Sequence, residues 1–196
     1  MEDNETTYIV WLDNTLLMLG SFILMAFMMM ALINPPKPTE TTAGTPLVGT
    51  MLVEILWADK IDVDIDLWVQ APGDKIIGYS NKGGVIFNLL RDDLGRPGDT
   101  LDLNYEVAYT RGLPEGEYVI NVHLYRLNAV TLPLDVKAKI TVQDPQTKLS
   151  REIAQKTITL TKPGQELTVF RFRMDSKGNL VAGTMNDIQK PLRSAK

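Results

Sequence analysis

Residues 8–34, YIVWLDNTLLMLGSFILMAFMMMALIN, form one hydrophobic block that carries a single ionisable side chain, Asp13, near its start. Residues 16–33 hold no charge and no proline. With 9–12 added, the stretch exceeds the roughly 20 residues a helix needs to cross a bilayer. The chain is therefore expected to be membrane-anchored. A carboxylate at the bilayer centre costs about 2.5–3.5 kcal/mol on insertion scales, so acids within a span usually face a partner, a water cavity or an ion path. Asp13 is the first functional candidate.

Two readings of Asp13 stay open. Asp13, Asn14 and Thr15 are all good N-cap residues, and a helix starting at Thr15 still nearly spans, leaving Asp13 among headgroups with Tyr8 and Trp11 as interfacial aromatics. Yet Ile9-Val10-Trp11-Leu12 is apolar and helix-compatible, which places Asp13 about 6 Å inside the apolar stretch. Asp13, Leu17, Gly20, Leu24, Phe27 or Met28, and Ala31 share one stripe at i, i+3/i+4 spacing, where Gly20 and Ala31 permit close helix approach. The methionines at 25, 28, 29 and 30 read as adaptable apolar packing rather than a metal site.

The pattern W-L-D-N-T-L-L-M-L-G-S-F-I-L-M-A-F resembles the single transmembrane helix of the B-type subunits of proton-driven motors, the flagellar stator protein MotB and the transport energisers ExbD and TolR. The resemblance covers about 30 residues. It implies a short cytoplasmic N-terminus, a pair of B helices inside a ring of multi-span A-type subunits, and a periplasmic domain of a bacterial inner-membrane protein. It also implies that Asp13 takes up and releases the proton during ion flow. Charge does not reinforce that orientation: all 20 Lys and Arg lie after the hydrophobic block, although long domains translocate largely regardless of charge. An acidic N-terminal region without a small-x-small cleavage site argues against a cleaved signal peptide.

The net charge of -4 belongs to the first 13 positions, since the acids and bases after residue 34 cancel. No basic nucleic-acid patch stands out. The expected organisation is a tail at 1–8, a transmembrane helix at 9–34, a Pro/Thr-rich linker at 35–46 reaching about 40 Å at most, a β domain at 47–183 and a flexible polar tail at 184–196. From residue 47 the pattern alternates. Strands are predicted at 48–57, 63–70, 75–79, 103–109, 118–127, 134–142, 154–160 and 166–174, separated by Pro-Gly, Gly-Gly and Lys-Gly-Asn turns. The fold class is a single N-terminal transmembrane α-helix plus an all-β antiparallel sandwich.

Within that domain the sharpest motif is DVDIDLWV at 62–69. In a strand Asp62, Asp64 and Asp66 line one face and Val63, Ile65, Leu67 and Val69 the other. Like charges some 7 Å apart repel unless water or a cation intervenes. The motif and the Ala-Pro-Gly turn after it resemble secreted bacterial β-sandwich modules of the pre-peptidase C-terminal type. Asp92, Asp93 and Asp99 converging on it give an oxygen-rich Ca²⁺ site as one reading, and a solvated or partner-facing acidic strand as the other. No cofactor is required.

Little in the chain supports catalysis. The sole histidine, His123, alternates with the apolar face of its strand and is expected to face solvent or a partner. Cysteine is absent, which excludes thiol nucleophiles and Cys-based zinc sites. No G-x-S-x-G, H-E-x-x-H or phosphate-binding loop occurs. Two functions remain: the B subunit of a proton-driven motor, dimeric, its sandwich anchored on an envelope component, or a membrane-tethered binding or adhesion module without ion transport.

Overall fold

The computed structural model describes residues 2–33, 50–95, 103–144 and 147–193, with helix side chains from 7 to 29. The predicted linker, Asp99 and the side chain of Ala31 lie outside the described residues. The chain divides into two units, Met1–Thr42 and Ala43–Lys196.

In the first unit, α1 (Glu2–Ile33) is one continuous helix. Its apolar stretch Thr7–Met29 has 23 residues and a mean hydropathy of 1.7, about 35 Å at 1.5 Å per residue against a hydrocarbon core of roughly 30 Å. The described side chains of this stretch are exposed all round, so it is a candidate membrane span rather than a helix buried by the described residues of its own unit. Because the helix begins at Glu2, Asp13 lies well inside it and caps nothing. Thr15, another candidate cap, donates its Oγ1 hydrogen to the Trp11 carbonyl at 2.8 Å, a bond made from a helix interior.

The second unit packs two antiparallel sheets face to face. β1 (Met51–Leu56), β3 (Phe87–Arg91), β4 (Tyr105–Thr110), β6 (Leu134–Gln143) and β7 (Ser150–Leu160) form the order β3-β4-β1-β6-β7, while β2 (Val63–Gln70), β5 (Gly116–Leu127) and β8 (Glu166–Met174) form β2-β5-β8. Alternation puts Val63, Ile65, Leu67 and Val69 of β2 and Val136, Ala138 and Ile140 of β6 in the shared core. Three aromatic rings tie the sheets together: Tyr118 stacks on Phe172 at 5.4 Å and meets Phe87 edge-on at 6.2 Å.

The outer face of the three-stranded sheet is also covered, which departs from a half-solvated sandwich. The strand predicted at 75–79 reduces to isolated bridges, Ile77 on Val69 and Gly78 on Asn81. From there the chain lies over β2: Trp68 meets Tyr79 edge-on at 5.4 Å. β3, which no predicted strand covers, follows as a five-residue edge strand beside β4. At the other end, residues 186–193, expected to be a flexible tail, are part of the fold. Asn186 pairs with Arg171, Lys190 exchanges bonds with Thr168, and Leu192 is buried against Trp68 and Val119.

Candidate functional site

β2 places alternate residues outward, so Asp64 and Asp66 leave the core side of the sheet as the DVDID pattern predicts. Both are buried all the same, because the overlying chain converts this face into a cavity of about 390 Å³. Asp64, Asp66 and Asp92 line it together with Tyr79, Leu94, Tyr125 and Arg126. Arg126 holds the overlying segment in place, donating to the Leu94 carbonyl at 2.8 Å. Gly95 fits there because a Cβ would stand 2.2 Å from the Val63 carbonyl oxygen.

Of the aspartates proposed as ligands, the five within the described residues separate into two groups. Asp62 is taken up by Arg126 at 3.0 Å and by the Asn128 amide at 2.7 Å. Asp93 accepts from Arg91 and from the Gly95 amide, both at 3.0 Å, and from the Tyr105 amide at 3.3 Å. These two act within the scaffold and do not line the cavity. Asp64 is only 5 % exposed, and its side chain makes no hydrogen bond or ion pair among the described residues. Burial first, then the neighbouring Asp66 charge, pushes its carboxyl up to about 6, against the pull of Arg126. Asp66 bonds His123 Nδ1 at 2.7 Å. Asp92 pairs one oxygen with Lys82 at 2.8 Å, while its Oδ1 is buried without a hydrogen-bond partner.

Glu106, on β4, completes the constellation and was not anticipated. Its Oε2 accepts from the Leu67 amide at 2.7 Å and Oε1 from the Asp93 amide at 3.2 Å. Burial holds its carboxyl well above the usual range despite the Leu67 amide, and the nearby Asp92 and Asp66 charges add to this. Oxygens of Asp66, Asp92 and Glu106 all lie within 4.8 Å of one another. The sequence Tyr-Glu-Val-Ala-Tyr-Thr suggests Tyr105, Val107 and Tyr109 as the inner face. Ala108 and Thr110 are instead fully buried, and Glu106 shares their register.

His123 contradicts its expected place at a solvent or partner surface. It is 1 % exposed, because the face it occupies is roofed by the overlying chain and the 186–193 strap. Arg193 Nη1 lies 2.5 Å from Nε2. Arginine can only donate, so Nε2 accepts and the Nδ1 hydrogen points at Asp66. Both ring nitrogens are therefore engaged.

On α1, Leu17, Gly20 and Leu24 share the helical stripe of Asp13. The hydroxyls of the span are satisfied within the helix, Thr15 on Trp11 and Ser21 on the Met18 carbonyl at 2.9 Å. The Asp13 side chain has no hydrogen bond or ion pair among the described residues. Comparison with known protein families, curated proteins and solved structures returns no match.

Proposed function

We propose that this chain is the B-type subunit of a proton-driven membrane motor, in which Asp13 relays protons and the β-sandwich couples to or anchors on an envelope component. One observation carries the proposal: an acid stands inside an unbroken apolar helix, with no side-chain partner among the described residues. Such a group must find its partner in another helix or in water held by a complex, and a ring of multi-span subunits around two copies supplies both. His123 is no general base here, since Asp66 and Arg193 occupy its two nitrogens, and the assignment is to a non-enzymatic role.

The test is proton flux, or the motor-dependent phenotype, in Asp13→Asn and Asp13→Glu variants with expression and insertion checked in each. Asn matches the shape but cannot cycle a proton, so flux should fall to background with insertion intact. Wild-type flux in the Asn variant removes the motor assignment. The second reading, a membrane-tethered binding module, is favoured by the acidic cavity. It becomes the better one if the helix proves only an anchor.

A further inference from the structure

We propose that the outer-face cavity of β2 is a binding site for a hard divalent cation, with Asp64, Asp66, Asp92 and Glu106 as its carboxylate ligands and Ca²⁺ as the ion it fits. Two oxygens that share one Ca²⁺ at 2.3–2.6 Å stand no more than about 5 Å apart. Asp66, Asp92 and Glu106 meet that limit, with oxygens from three separate segments within 4.8 Å of one another.

Asp64 is an independent pointer to a ligand. It lies outside that trio, is 5 % exposed and lines the same cavity, and its side chain has no hydrogen bond or ion pair among the described residues. A buried carboxylate without a partner is costly, and a cation in the cavity would meet it. Asp92 Oδ1 is buried as well, and the Asp92 side chain faces the Glu106 carboxyl. The cations nearby meet that cost only in part: Arg126 pulls on Asp64 but makes its ion pair with Asp62 and its hydrogen bond with the Leu94 carbonyl, and Lys82 sits on one oxygen of Asp92 with 55 % of its side chain exposed.

Ligand chemistry narrows the ion. The donors are oxygen alone, since the chain has no cysteine and both His123 nitrogens are engaged. That set suits Ca²⁺ rather than Zn²⁺ or Cu²⁺. A cavity of about 390 Å³ leaves room for the waters that would bring the coordination to six or more. The ligands come from β2, β4 and the segment after β3, so a bound ion would pin that segment to both sheets.

The experiment uses the full chain in detergent, stripped with EDTA and titrated with CaCl₂ to about 5 mM, which covers the weak affinities of extracellular calcium modules. Calorimetric titration should give one site per chain. The melting temperature should rise with the logarithm of Ca²⁺ concentration above Kd, reaching about 5 °C or more at a hundredfold excess. Asp64→Asn and Asp92→Asn should each weaken Ca²⁺ binding about tenfold or more, whereas Asp135→Asn, at an exposed position of β6, should bind as wild type. In EDTA, Asp64→Asn should melt at or above the wild-type temperature, because it removes an unpaired buried charge, so loss of the Ca²⁺ response cannot be ascribed to misfolding. No binding heat and no melting shift at 5 mM overturn the proposal. So does a response that Asp64→Asn and Asp92→Asn leave unchanged, or one that NaCl at matched ionic strength reproduces.

Discussion

Four backbone amides, from Lys75, Val85, Ile86 and Phe87, converge on the Asp74 carboxylate at 2.7–3.1 Å. Burial disfavours its charge, but the amides outweigh burial and hold its carboxyl below the ordinary range. A lowered folded value means that the stabilisation is fully present above the unfolded carboxylate pKa and is lost as pH falls through the folded one. Asp74→Asn, which turns a donor toward donors, should cost about 2–4 kcal/mol at neutral pH. Denaturant titration should show that gap to wild type closing as the pH drops below the carboxylate range. Gly84 belongs to the same device, since a Cβ there would stand 2.5 Å from Asp74 Oδ2. At this scale the outward register of Asp64 and Asp66 was legible, because strand alternation needs only the order of residues. Which aspartates face the cavity was not. Asp62 and Asp93 are drawn away by Arg126, Asn128 and Arg91, partners set by tertiary packing.

Elements were legible where the apolar alternation is long, as in β5, β6 and β8, and failed where a segment serves as cover. β3 is a short edge strand after a Gly-Gly turn, with a register shift between Leu89 and Arg91 that breaks its period. The 186–193 segment reads as a polar tail because its anchoring is mostly hydrogen bonding. Glu166 accepts from the Leu192 amide at 2.8 Å, and Glu117 accepts from Lys190 at 2.7 Å and Arg171 at 2.8 Å. The Lys190 bond is the main cause holding the Glu117 carboxyl below its usual range. Only Leu192 adds an apolar anchor, 2 % exposed in the pocket of Trp68 and Val119. Leu192→Ala should therefore destabilise the β unit by about 2–5 kcal/mol, measured by urea unfolding. A frayed residue would change stability by no more than about 0.5 kcal/mol. The same cover misplaced His123: alternation assigned the face correctly, but the sequence carries no signal that this face is roofed.

At the scale of the whole molecule, the described part of α1 exposes apolar side chains around its full circumference, and the described residues offer Asp13 no partner. A lone anchor in lipid satisfies the first fact but leaves the acid in hydrocarbon, whereas packing against other helices satisfies both. Packing has a direction. Leu17, Gly20 and Leu24 lie on the Asp13 stripe, while Met18 and Phe22 lie opposite at 100° per residue. Because the chain lacks cysteine, single introduced cysteines report helix proximity without background. Under mild oxidation in native membranes, Leu17→Cys and Leu24→Cys should form disulfides between copies well above Met18→Cys and Phe22→Cys. Gentle detergent extraction should recover two copies with a larger polytopic protein. Equal, slow crosslinking at all four positions, with the chain extracted alone, would mean that nothing packs on the Asp13 face. The helix would then be a tether, and the acidic cavity of the β unit would be the better guide to what the protein does.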